Sequence, residues 1–180
     1  NLALDLVRVT EAGALAAARW AGRGDKNTAD GAAVDAMRQT INDVAMDGVV
    51  VIGEGEKDDA PWLYNGETVG NGTGFKSDIA VDPIDGTSLT ANGRHGAISV
   101  IAVGERGSMF NPGPCVYMEK MAVGPAGRGA VDITASYADN LKELAKRLGK
   151  DVTELGVVIL DRPRHDHIVE EFRSAGARIL

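Results

Sequence analysis

Leu2, Leu6, Val9, Gly13, Ala16 and Trp20 recur at helical spacing, which predicts an amphipathic helix over roughly 2–20. Gly22-Arg23-Gly24-Asp25 ends it. Ala33, Met37, Ile41 and Val44 then mark one face of a second helix. Asn27, Thr28 and Asp30 lie near its start, where side-chain oxygens and acids suit unpaired N–H groups. After the turn Asp47-Gly48, the run Val49-Val50-Val51-Ile52 is apolar and β-branched throughout, so a buried strand is expected. Residues 53–77 are polar and glycine-rich and read as a loop, with a short hairpin around Tyr64-Asn65-Gly66. Ile79-Ala80-Val81 is a second buried strand between Asp78 and Asp82. Further strands are predicted over 97–103, 116–123 and 157–160. Ser136 caps a helix whose Leu141, Leu144, Ala145 and Leu148 share a face, and Gly149 ends it. A short helix over 166–175 ends at Gly176, and 177–180 opens another strand.

Strand, helix, strand from 157 onward is a βαβ unit that stops at its second strand. The chain also opens on Asn1. The expectation is a piece of a longer chain, with an N-terminal α/β domain over 1–150 and the start of a second over 151–180. The alternative is a protein that ends on a strand.

Composition narrows the function classes. Apolar residues make up 44% of the 180 positions and charged residues 25%, a globular balance rather than a disordered one. Aromatics are only 4%, so the core must rest on aliphatic side chains. Twenty-six acids against 19 bases give a net charge of −7, which argues against a bulk electrostatic grip on nucleic acid or anionic lipid. A phosphorylated substrate stays open, because a bound divalent cation inverts the local field. The single Cys115 forms no internal disulfide, and no apolar run is long enough for a membrane helix. A soluble cytoplasmic protein is the expectation.

The strongest chemical signal is Asp82-Pro83-Ile84-Asp85-Gly86-Thr87, directly after a predicted strand. Strand ends are where side chains reach toward a ligand. Asp82 leaves the strand, Pro83 stiffens the turn and Asp85 returns a second carboxylate, a pair of hard oxygen donors suited to Mg²⁺ or Mn²⁺. A helix start over 88–91 would add backbone N–H groups for phosphate oxygens. Asp, Pro and Gly also build plain surface turns. A second acidic stretch, Gly53-Glu54-Gly55-Glu56-Lys57-Asp58-Asp59, follows the strand 49–52. Acids clustered at two neighbouring strand ends repel unless a cation sits among them. In Gly24-Asp25-Lys26-Asn27-Thr28-Ala29-Asp30-Gly31, Asp30 offers a ligand and Lys26 a phosphate contact, though the segment also reads as helix capping. Arg162 and Arg164, after the strand 157–160, make a clamp for a second phosphate or a basic surface turn.

Other motifs do not fit. Gly70-Asn71-Gly72-Thr73-Gly74 lacks the strand and helix of a dinucleotide fingerprint, and there is no P-loop. His165 and His167 stand two apart without a Cys partner, which does not suit zinc. No Gly-x-Ser-x-Gly elbow exists.

With an upstream Glu, Asp82-Pro83-Ile84-Asp85-Gly86-Thr87 resembles the signature of the lithium-sensitive, metal-dependent phosphatase superfamily. The longer strings over 22–37, 51–64 and 78–87 look closely like the class II (bacterial-type) fructose-1,6-bisphosphatases. The likeness runs on through Arg162-Pro163-Arg164-His165. It implies a layered α/β fold, the sugar-phosphatase α/β/α/β/α sandwich with a mixed sheet, of which this chain resembles the N-terminal half or slightly more.

The resemblance also implies roles. Asp30 and Glu54 would hold one ion and Asp82 and Asp85 another, with Mn²⁺ or Mg²⁺ as the cofactor. Asp85, Gly86 and Thr87 would meet the scissile phosphate. Tyr117, Arg162, Pro163 and Arg164 would line the sugar-bisphosphate site, while Lys26, Asp58 and Thr87 support catalysis. The remaining metal-binding Glu and further substrate loops of the family would lie beyond Leu180. The implied reaction is hydrolysis of the 1-phosphate of fructose 1,6-bisphosphate in gluconeogenesis, by a homo-oligomer. Sedoheptulose 1,7-bisphosphate is an alternative substrate, and an inactive metal- or phosphate-binding fragment an alternative role. Inositol enzymes carry Asn-Phe after the motif's Thr, whereas Ser88-Leu89 follow here, which disfavours inositol phosphate.

Overall fold

A computed structural model of the chain describes residues 1–54, 63–113, 115 and 117–180. It divides into two compact units, Asn1–Gly113 and Pro114–Leu180.

The first unit opens with two helices, α1 (Leu2–Ala18) and α2 (Lys26–Ile41). Four strands and a short helix follow: β1 (Met46–Ile52), β2 (Thr68–Val69), β3 (Phe75–Asp85), α3 (Thr87–Ala91) and β4 (Ile98–Glu105). The sheet order is β2-β1-β3-β4, with β1 parallel to β3 and the outer strands antiparallel to their neighbours. It is therefore a mixed sheet, as expected. Helices α1 and α2 pack together on one face. Leu6 and Val9 of α1, with Val34, Met37 and Ile41 of α2, meet Met46, Val50, Ile79 and Val81 of the sheet in one buried cluster. Burying each such side chain contributes about 1.5–3 kcal/mol. Gly13 permits the close packing of α1 on α2, since a Cβ there would lie 2.7 Å from Met37 Cγ.

In the second unit, α4 (Tyr137–Leu148) is followed by β5 (Gly156–Val157), α5 (Asp166–Ser174) and β6 (Arg178–Ile179). Strands β5 and β6 pair in parallel on either side of α5 in the sequence, which is the expected βαβ unit, although the strand expected over 157–160 ends at Val157 and leaves Val158 and Leu160 exposed. Leu141, Ala145, Leu155 and Ala177 form its core, with Phe172 and Leu144 at the margin. Ser136 caps α4 by accepting from Asp139 N–H, and Gly149 closes it in the left-handed region at φ 64°, as predicted. The fold is mixed α/β, with five α-helices among the described residues. No helix among them is long and apolar enough to cross a membrane.

Three expectations need correction. First, no strand forms over 117–123; Tyr117 and Met118 are exposed there. Alternating apolar residues make a strand only where a neighbour offers a ladder, and none of the described residues does so. Second, β3 begins at Phe75, and the short β2 lies inside the segment read as loop. Third, Asp82 does not leave the strand. Strand β3 continues to Asp85 through a register shift between Asp82 and Asp85. Buried Pro83 lies within that irregularity, where a residue lacking N–H is tolerated inside a sheet.

Candidate active site

Two register shifts phase the acidic residues of the first unit. Strand β1 meets β3 with Val50 opposite Ile79, but Ile52 opposite Ala80. The shift changes the phase of β1 just before Glu54, which stands two residues beyond the strand's end. Both strands run the same way, so Glu54 and the stretch from Asp82 to Asp85 lie toward the C-terminal ends of neighbouring strands about 4.8 Å apart. The second shift acts within the hexapeptide. Asp82 pairs with Val100 and Asp85 with Ile98, so three residues on β3 span two on β4. That extra residue brings Asp85 back into phase with Asp82. It also turns Ile84 toward the helices, where it packs with Ala17, Ala29 and Ala33.

The same packing sets the first turns of α2 beside this part of β3. Ala29, fully buried beside Ile84, is the neighbour of Asp30 in sequence. The start of α2 is fixed further by its cap. Asp25 accepts from Thr28 N–H at 3.0 Å and from the Thr28 hydroxyl at 2.6 Å. These two hydrogen bonds, the hydroxyl's first, hold the Asp25 carboxyl below the usual carboxylate range. Gly22 and Gly24 N–H donate to the carbonyls of Thr90 and Ala91, tying the loop before α2 to α3. Lys26, the first residue of α2, is exposed.

Gly86 caps α3 in the left-handed region at φ 99°, and a Cβ there would crowd Leu89 Cδ1 at 3.2 Å and Ala97 Cα at 3.3 Å. Only glycine adopts this turn without strain. Thr87 thereby becomes the first residue of α3, two positions after Asp85. Asp30, Glu54, Asp82 and Thr87 are half-buried, and Asp85 is exposed. Among the described residues, no three His, Cys, Asp or Glu side chains are gathered closely enough to cage an ion. The donors nonetheless suit a hard divalent cation. They are all carboxylate oxygens, without Cys or His, and two like charges leave adjacent strand ends. Asp58 lies outside the described residues.

Within the second unit, the Arg164 guanidinium stacks over the Tyr117 ring at 4.8 Å from its centroid. Pro163 begins a single 3₁₀ turn, and Arg162 Nη1 donates to the Asp161 carbonyl at 2.8 Å. His165 Nδ1 hydrogen-bonds the Leu160 carbonyl at 2.8 Å, which closes the segment that presents both arginines. Tyr117, Arg162, Pro163 and Arg164 are all exposed. The structure thus brings Tyr117 to the arginine segment.

Sequence reasoning missed Glu67. Its carboxylate is buried, accepts from Arg38 Nε at 2.9 Å and from Leu63 N–H, and stands among polar loop residues that gave no signal of burial. The capping expected of the segment Gly24–Gly31 is performed by Asp25, three residues before Thr28.

The family model for bacterial, glpX-encoded fructose-1,6-bisphosphatase matches residues 1–180. The protein called fructose-1,6-bisphosphatase 1 class 2 of Escherichia coli (strain K12) is 54% identical over 180 residues, covering 100% of this chain and 53% of that protein. The fructose-1,6-bisphosphatase class 2 of Shigella flexneri is likewise 54% identical, with the same coverage. The chain spans about half the length of these curated relatives. Matched from its first residue to its last, the chain belongs to the bacterial, glpX-type fructose-1,6-bisphosphatase family.

Proposed function

We propose that a protein built on this chain hydrolyses the 1-phosphate of fructose 1,6-bisphosphate, giving fructose 6-phosphate and phosphate. The observation that supports this best is 54% identity over all 180 residues to proteins named for that activity. Gluconeogenesis is the setting the reaction would serve.

Asp30, Glu54, Asp82 and Asp85 would hold two or more Mn²⁺ or Mg²⁺ ions. When bound, such ions supply charge neutralisation and lower the pKa of coordinated water. Phosphoryl transfer otherwise depends on positioning. Asp85, Gly86 and Thr87 bind the scissile phosphate at the turn from β3 into α3. The Thr87 hydroxyl orients the attacking water, or relays its proton toward a carboxylate such as Asp58. Lys26 supports that end of the site as a phosphate contact. Arg162 and Arg164 grip the distal phosphate, with Tyr117 stacked on Arg164, and so select bisphosphates over monophosphates. Assembly as a dimer or tetramer belongs to the same reading.

The test uses the protein at the length of its relatives, assayed for phosphate release with Mn²⁺. Asp82→Ala should abolish release from fructose 1,6-bisphosphate, and wild-type turnover in that variant would overturn the ligand assignment. A substrate panel adds sedoheptulose 1,7-bisphosphate and inositol monophosphate. Preference for inositol monophosphate would overturn the substrate assignment.

A further inference from the structure

The carboxylate of Glu67 joins two elements that the acidic site needs. Its main chain is docked on β1: Val50 N–H donates to the Glu67 carbonyl at 2.9 Å, and Gly66 N–H donates to the Val50 carbonyl at 2.7 Å. Its side chain then reaches two ways. One oxygen takes the Nε–H of Arg38, which lies on α2, the helix that also carries Asp30. The other takes the N–H of Leu63. The Leu63 carbonyl in turn accepts from Glu54 N–H at 3.0 Å. A continuous path of three hydrogen bonds thus runs from α2 to the backbone of Glu54.

Leu63 is the only described non-glycine residue with a positive φ, at 56°, and its side chain is fully buried. An L-residue does not hold the left-handed region unless its surroundings impose it. Glu67 supplies that constraint at the Leu63 N–H. If it let go, Leu63 would be free to relax toward negative φ, rotating the peptide whose carbonyl fixes Glu54. A carboxylate this buried needs bonded partners. Here the partners are the helix that carries Asp30 and the residue whose carbonyl holds the Glu54 N–H, not two surface groups.

We propose that Glu67, paired with Arg38, is a positioning residue that sets the placement of the Glu54 carboxylate relative to Asp30. This rests on the reading of Glu54 and Asp30 as cation ligands. Residues supporting a ligand from behind typically carry 10–100-fold in metal affinity.

The experiment is a Mn²⁺ titration followed by electron paramagnetic resonance, on the protein at the length of its relatives, with thermal melts to establish folding. Glu67→Gln and Arg38→Gln should each weaken Mn²⁺ binding about tenfold or more. The double variant should be no weaker than the worse single, because both act through one path. Arg38→Lys should recover part of the loss. Glu54→Gln is the control on the underlying reading. If it binds Mn²⁺ as the wild type does, the ligand assignment fails and the positioning role fails with it. If Glu54→Gln binds weakly but the folded Glu67→Gln and Arg38→Gln bind normally, the positioning role alone is overturned. Should Glu67→Gln not fold, the half-exposed Arg38 decides alone: normal binding in Arg38→Gln overturns the proposal.

Discussion

Gly53 stands directly before Glu54, and the structure leaves it no room for a side chain. A methyl there would lie 2.7 Å from Val50 Cγ1 and closer still to the Leu63 carbonyl oxygen. A side-chain neighbour can swing aside, but a main-chain carbonyl cannot. Gly53→Ala therefore forces the two chain segments apart where two hydrogen bonds cross between them. These run from Gly53 N–H to Asn65 Oδ1 at 2.9 Å and from Glu54 N–H to the Leu63 carbonyl at 3.0 Å. Two such bonds contribute about 1 kcal/mol each. Overpacking adds about 1–3 kcal/mol. Unfolding should consequently shift down by roughly 10 °C or more, read as Tm by circular dichroism. The functional cost is separate: a ligand misplaced by about 1 Å loses about 10²-fold in rate. If the protein at the length of its relatives acts on fructose 1,6-bisphosphate as proposed, that equals about 2.7 kcal/mol in kcat/KM. Amide hydrogen exchange at Glu54 gives the local readout and should speed up strongly. Gly31→Ala is the matched control, since a Cβ there meets nothing within 4 Å on helix α2. It should stabilise the helix by up to about 1 kcal/mol. Unchanged Tm together with unchanged protection of the Glu54 amide in Gly53→Ala would refute the reasoning.

Two further outcomes follow from the first unit. Ile79 is fully buried in the centre of β3, so Ile79→Ala should cost about 2–5 kcal/mol in a urea titration, and a loss under 1 kcal/mol would contradict the packing described. Asp25 is held below its ordinary value of 3.8 by Thr28, so its contribution is present above that value and is lost as pH falls through the lower folded-state value. The Tm difference between wild type and Asp25→Ala should accordingly be widest above about pH 4 and narrow in stronger acid; a difference that grew on acidification would show the capping assignment to be wrong.

Much of the fold is legible in the sequence where the cause is local. Helix α4 announces itself through Ser136, its apolar face and Gly149, because capping and amphipathic spacing act within a few residues. The same holds for α1 and α2, and for the βαβ unit around α5. Failures fall where the cause is a partner elsewhere in the chain. Residues 117–123 alternate like a strand but find no ladder among the described residues. Thr68 and Val69 look like loop yet pair with Val49 and Gly48. Glu67 looks like a solvated acid, and only the fold reveals that Arg38, 29 positions away, comes to meet it.

The candidate site divides along the same line. Carboxylate identity and strand-end location are visible in the string of residues; phase is not. A strand alternates faces every residue, so Asp82 and Asp85, three apart, would point to opposite sides of a regular β3. The shift opposite Val100 and Ile98 corrects this, and Ile84, packed against Ala29, shows which way the corrected chain faces. A second slip, between Val50 and Ile52, changes the phase of β1 shortly before Glu54. Each irregularity gives up regular sheet pairing, a cost that a purely structural sheet has no reason to carry at two neighbouring strand ends. The one in β3 brings Asp82 and Asp85 into phase with one another. Like charges so aligned repel in the absence of a counter-charge, so this arrangement becomes favourable when a cation lies between them. The register of the backbone thus sets Asp82 and Asp85 on one face of β3, as the proposed cation site requires.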